Sequence, residues 1–128
     1  MIGLLIVDKE PSMRRGLRMR LAVEPDMAAL GEAGDEATAL ELAALLQPDV
    51  VLVDDEAGGI DGIRTAAALR GMAPGTAVVI LTFHEDAATL VRGMAAGAAA
   101  VVSKRRGPEE LVAAIRKAAL DNGSPESQ

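Results

Sequence analysis

Two kinds of hydrophobic block alternate along this chain. Continuous runs rich in Val, Ile and Leu occur from Ile2 to Val7, from Val50 to Val53 and from Ala77 to Leu81, and each ends abruptly in a polar residue: Asp8, Asp54 and Thr82. Short apolar runs bounded in this way predict strands buried on both faces, as in parallel sheets. Weaker runs from Met27 to Gly31 and from Ala99 to Val102 predict two more strands, the first at an edge and the second closed by Ser103-Lys104. Between the runs, apolar residues recur at helical spacing: Met13, Leu17 and Leu21 after Pro11; Leu40, Ala43, Ala44 and Leu46 over 36–46, stopped by Pro48; Ile63, Ala66, Ala67 and Leu69 before Gly71 and Pro74-Gly75. The fourth helix runs through Leu90, Val91 and Met94, capped by Asp86 and closed by Gly97. The fifth opens at Pro108 and turns Leu111, Ile115 and Ala118 or Ala119 inward, with Glu109-Glu110 at its start and Arg116-Lys117 near its end.

Five strand–helix alternations predict βαβ units, and so an α/β domain with one doubly wound, five-stranded parallel sheet covered on both faces. The domain is expected over residues 1–121, and the polar 122–128 segment reads as a tail or the stub of a linker.

Composition narrows the function. The net charge of −6 argues against nucleic-acid binding by this domain itself, because phosphate contacts need a basic face. A single Phe, with no Trp or Tyr, offers no base-stacking platform. Without cysteine there are no disulfides or thiolate metal sites. The early apolar run is too short for a signal peptide or membrane span, so a soluble cytoplasmic domain without membrane contact is expected.

The strand ends hold the candidate chemistry. In a sheet of order 2-1-3-4-5, Asp8, Asp54, Thr82 and Lys104 end neighbouring strands and line one rim, where open α/β sheets bind ligands. Asp54 is either a reactive carboxylate or merely the polar stop of a strand, and the strand alone does not decide between them.

The series Val7-Asp8, Asp49-Val50-Val51-Leu52-Val53-Asp54, Asp61-Gly62, Leu81-Thr82, Ala96-Gly97-Ala98, Ser103-Lys104 and Pro108-Glu109-Glu110-Leu111 resembles the receiver domain of bacterial two-component response regulators. The likeness runs from Ile2 to about Leu120. Gly31-Glu32-Ala33-Gly34-Asp35 and the Pro108 segment are most similar to the subfamily with a carboxyl-terminal helix-turn-helix output domain. The resemblance implies a flavodoxin-like fold and a signalling domain rather than an enzyme. It also implies a phosphoacceptor role for Asp54, with Lys104 pairing the phosphoryl group and Thr82 swinging toward it. Asp8, Asp54 and the backbone carbonyl of Glu56 would hold Mg²⁺. The implied partners are a sensor histidine kinase and a second copy of the chain, with DNA reached only through an output domain that this sequence does not contain.

Three departures from the family pattern stand out. Lys9 replaces a second acid, so that Asp8, Asp54, Lys9 and Lys104 sum to zero charge and the demand for a divalent cation falls. Glu10 or Glu56 could restore the balance by turning inward. Ala57-Gly58-Gly59 replaces a Pro-stiffened loop, predicting greater mobility. Val101 stands where the family commonly has an aromatic ring that swings inward, a swing Val cannot make; Phe83, which follows Thr82, is an alternative reporter that the sequence does not favour.

Two functions follow: a phosphoacceptor receiver, or a phosphorylation-independent pseudo-receiver in which Lys9 fixes one state. A phosphatase with an Asp nucleophile is disfavoured, because Glu56 is the only further match to that pattern and no Gly-rich phosphate loop exists. Asp55 is expected to be a solvated loop acid, Asp61 a helix cap, and His84 neither catalytic nor metal-binding. Arg14, Arg15 and Arg18 are expected to form a solvated helix face or to dock an acidic patch on the kinase.

Overall fold

The computed structural model describes residues 1–56 and 59–122. The elements are β1 (Ile2–Val7), α1 (Pro11–Leu21), β2 (Met27–Ala33), α2 (Glu36–Leu46), β3 (Val50–Asp55), α3 (Gly62–Met72), β4 (Ala77–Thr82), α4 (Ala87–Ala95), β5 (Ala100–Ser103) and α5 (Pro108–Asp121). All strand pairs are parallel, in the order β2-β1-β3-β4-β5 expected from the sequence. The 122–128 tail, apart from Asn122, lies outside the described residues, as do Ala57 and Gly58 of the glycine loop.

Because strand side chains alternate between faces, the continuous apolar runs fill two cores at once. Leu4, Ile6, Val50, Leu52, Val79, Leu81 and Val102 face Leu21 of α1 and Leu111, Ile115, Ala118 and Ala119 of α5. Leu5, Val7, Val51, Val53, Val78 and Ile80 face Ala39 and Ala43 of α2 and Ala66 and Leu69 of α3. The alanines let the helices lie close to the sheet, and their lack of side-chain entropy makes each burial cheap.

Local signals set the element ends. Asp35, Asp61 and Asp86 cap α2, α3 and α4, accepting hydrogen bonds from the backbone N–H of Thr38 (2.8 Å), Arg64 (3.0 Å) and Thr89 (2.7 Å). Gly97 closes α4 at φ +99°, where a side chain would be strained. Arg116 of α5 ties the helix to the α1–β2 turn, its Nε donating to Asp26 Oδ2 at 2.9 Å and its Nη2 to Glu24 Oε1 at 2.8 Å.

Helix α4 differs from the periodicity reading. Leu90, Val91 and Met94 are exposed, and the residues turned inward are Thr89 and Gly93. A Cβ built on Gly93 would lie 2.6 Å from Val101 Cγ2 and 3.3 Å from Ile80 Cδ1. Close approach to β5, not a wide apolar stripe, seats this helix.

Candidate functional site

Every strand in this sheet ends on the same rim, and β1 and β3 lie side by side there, at the point where the chain reverses direction across the sheet. Asp8 follows β1 and Asp54 sits near the end of β3; they are 2% and 3% exposed. Lys104 follows β5, its backbone N–H donating to the Thr82 carbonyl at 2.8 Å, and its side chain is only 8% exposed. Its ammonium makes an ion pair with Asp54 Oδ1, stands 3.2 Å from Glu56 Oε1 and 3.8 Å from Asp8 Oδ2. The Phe83 ring covers the same ammonium, centroid 5.2 Å from Nζ. Together with Lys9, Glu10, Met13 and Gly59 these residues line a cleft of about 280 Å³.

The electrostatics follow from this crowding. Burial pushes the Asp54 carboxyl up; the Lys104 contact opposes that, while the Asp8 and Glu56 charges add to it, and the result is a pKa of about 6. For Lys104, burial alone would lower the pKa, but the contacts with Asp54, Glu56 and Asp8 outweigh it and the ammonium is held more firmly charged than usual.

The arrangement suits a hard divalent cation. Asp8 Oδ1 accepts from the Glu10 N–H at 2.9 Å, whereas Asp8 Oδ2 is buried without a hydrogen-bond partner among the described residues. No group of three His, Cys, Asp or Glu side chains is set to hold a metal among the described residues. An ion there would therefore need water or phosphoryl oxygens to complete its shell, which is how Mg²⁺ is usually bound. The Glu56 carbonyl accepts from the Gly59 N–H at 3.0 Å and retains a second lone pair.

The structure thus brings Asp8, Asp54 and Lys104 together. Thr82 is buried at the same rim, but its Oγ1 accepts from the His84 N–H at 2.9 Å and it lines a separate cavity of about 210 Å³ with Leu90, Val101 and Arg106. Of the two acids able to restore the charge balance, Glu56 is the one whose side chain reaches Lys104, while Glu10 donates its backbone N–H to Asp8. The expectation for Asp55 needs correcting: it is half-buried, and its Oδ1 accepts from the Gly62 N–H at 2.9 Å, fastening the end of β3 to the start of α3. Arg14 was missed as a site residue. Its Nη1 donates to the Asp8 carbonyl at 2.6 Å and its Nε to Glu32 Oε1 at 3.1 Å, so it clamps the loop carrying Asp8. The signal available was an Arg one turn into the helix after Asp8, with an unassigned acid, Glu32, in the neighbouring strand.

Comparison with known proteins agrees with this geometry. The response regulator receiver domain matches residues 4–116. The nitrate/nitrite response regulator protein NarP of Escherichia coli K12 is 38% identical over 115 residues, covering 90% of this chain and 54% of that protein. The uncharacterized transcriptional regulatory protein YxjL of Bacillus subtilis is 36% identical over 118 residues, covering 92% and 54%. The chain spans about half the length of the curated relatives it matches. Among solved structures, the signal receiver domain of the putative response regulator NarL from Mycobacterium tuberculosis superimposes with a TM-score of 0.84 at 33% identity, covering 92% of this chain and 95% of that one. The response regulator domain of Thermotoga maritima CheB gives 0.85 at 31% identity, covering 98% and 99%.

Proposed function

The chain belongs to the response regulator receiver domain family, and from that premise we propose that Asp54 is its phosphoacceptor, taking a phosphoryl group from a phosphohistidine of a sensor histidine kinase. The observation that carries this reading is the buried Asp54 carboxylate in contact with Lys104 at the floor of an open cleft. An Asp54 oxygen attacks phosphorus, the P–N bond breaks, and the imidazole leaves with its electron pair. Little covalent chemistry is asked of the protein; it positions the two groups and neutralises charge.

Asp8, Asp54 and the Glu56 carbonyl would hold Mg²⁺, which when bound neutralises charge on the phosphoryl oxygens. Lys104 supplies a second positive group to the same oxygens. The Thr82 hydroxyl accepts from the His84 N–H and keeps its own proton to donate to the phosphoryl group, so a swing of Thr82 toward that group would carry the change in Asp54 into the β4–α4 loop. The domain, residues 1–121, then alters its association with a second copy or with an output domain, as expected of a signalling module. DNA binding, if the whole protein has it, belongs to such an output domain. No helix among the described residues is long and apolar enough to cross a membrane.

The test is incubation with acetyl phosphate and Mg²⁺, followed by mass spectrometry of the intact chain. Wild type gains one hydroxylamine-labile phosphoryl group and Asp54→Asn gains none. A wild type that stays unmodified, with its cognate kinase as well, refutes the reading.

A further inference from the structure

An ammonium has three donors, and around Lys104 Nζ stand three carboxylates: Asp54 in contact, Glu56 at 3.2 Å and Asp8 at 3.8 Å. Two of these are buried aspartates on the cleft floor. Glu56 is different. Its side chain is 30% exposed, and it reaches Lys104 from the residue that follows β3, lining the same cleft as the two aspartates. A phosphoryl group joined to Asp54 brings its oxygens into the cleft that Glu56 and Lys104 line. With Phe83 covering another face of the ammonium, little room on Lys104 is left for an incoming oxygen while Glu56 stays.

We propose that the Glu56 carboxylate is a built-in competitor for Lys104, occupying the place of a phosphoryl oxygen in the resting domain and yielding it as Asp54 is modified. The inference rests on the phosphoacceptor reading of Asp54. The exchange can be local, because the Glu56 main chain is fixed independently: its N–H donates to the Ile60 carbonyl at 3.3 Å and its carbonyl accepts from the Gly59 N–H at 3.0 Å. The side chain can swing out while the turn stays. Glu56 also makes the formal sum over Asp8, Asp54, Glu56, Lys9 and Lys104 equal to −1, so displacing it from Lys104 frees a cation in a cleft that otherwise repels phosphodonors. Glu56 thus acts as a positioning residue that sets how readily the site accepts a phosphoryl group.

Two substitutions separate direct occupancy from mere negative charge. Glu56→Gln keeps the shape and removes the charge. Glu56→Asp keeps the charge but withdraws it by about 1.5 Å, out of hydrogen-bond reach of Nζ. Rates of phosphorylation by acetyl phosphate with Mg²⁺, read by mass spectrometry, are expected to rise about two- to fivefold in both variants, the upper part of the range for releasing one partly exposed ion pair. Glu41→Gln, an exposed charge change on α2, keeps the wild-type rate. In EDTA with no phosphodonor, both Glu56 variants shift the Lys104 Cε–Hε resonances in NMR spectra and Glu41→Gln does not. Unchanged rates, a fast Glu56→Gln beside a wild-type-like Glu56→Asp, or unmoved Lys104 resonances overturn the proposal while Asp54 remains the phosphoacceptor. An unmodified wild type overturns both.

Discussion

Replacing Asp54 by Asn should stabilise the metal-free domain, and by an amount that depends on pH. The carboxylate is 3% exposed and surrounded by the charges of Asp8 and Glu56, with Lys104 only partly compensating, so its pKa in the folded chain rises from 3.8 to about 6. An acid whose pKa is raised on folding favours the folded state while protonated and opposes it once ionised. The penalty is absent below the unfolded value, grows as pH rises between about 4 and 6, and is complete above the folded value. At 1.36 kcal/mol per tenfold change in proton affinity, its full size is roughly 2–3 kcal/mol. Asn carries no charge at any pH. In EDTA, Asp54→Asn should therefore unfold in urea with a stability gain at pH 8 that exceeds its gain at pH 4.5 by roughly 2 kcal/mol. Millimolar Mg²⁺ should raise the stability of wild type at pH 8 and leave Asp54→Asn nearly unmoved, because the ion offsets the repulsion that the substitution has already removed. A gain equal at both pH values, or a variant less stable than wild type at pH 8, would refute the account of Asp54 as an unfavourably ionised group held for function.

The seating of α4 predicts that Gly93→Ala loses about 1–2 kcal/mol in urea unfolding, since its Cβ meets Val101 and Ile80. Gly71→Ala, in the open end of α3 with nothing within 4 Å of the new Cβ, gains up to about 1 kcal/mol. Arg14→Met removes the donor to the Asp8 carbonyl and should weaken Mg²⁺ binding by calorimetry about three- to tenfold, less than the full cost of a charge-assisted hydrogen bond because Arg14 holds the main chain of Asp8 and not its carboxylate. Phe83→Ala uncovers Lys104 and opens the cleft to water, so aspartyl phosphate should decay about two- to fivefold faster in a mass-spectrometric time course.

The parts of this molecule legible in its sequence are those whose cause is local. A run such as Val50 to Val53, short, mostly β-branched and bounded by polar residues, predicts a strand buried on both faces, and the parallel direction of such strands then places Asp8, Asp54 and Lys104 on one rim without knowledge of any side-chain angle. The capping roles of Asp61 and Asp86 were equally visible, because a cap is decided within four residues. What could not be read depends on distances between segments remote in sequence. Leu90, Val91 and Met94 form a periodic apolar set, yet α4 turns Thr89 and Gly93 inward, because contact with Val101 rewards the smaller surface. Glu56 and Glu10 were equivalent as acids near Asp54, and only the placement of Lys104, 48 residues beyond Glu56, separates them.

The same distinction bears on how the site works. The sequence count of Asp8, Asp54, Lys9 and Lys104 gives no net charge and little reason to bind a divalent cation. Charges act through distance and burial rather than through their sum. Lys9 belongs to an exposed position at the mouth of the cleft, whereas Asp8 and Asp54 are buried, and one oxygen of Asp8 lacks a hydrogen-bond partner among the described residues. A charge at an exposed position acts on that buried pair through solvent and screens it weakly; Lys104, beside it, is already shared with Glu56. The floor of the cleft therefore stays electronegative despite the neutral sum. Lys9→Asp, a change of two charge units at an exposed position, should then raise Mg²⁺ affinity only modestly, about two- to tenfold by calorimetry, because each unit is partly screened. If wild type binds no Mg²⁺ and Lys9→Asp alone restores binding, Lys9 dominates the site and this ordering of the charges is wrong.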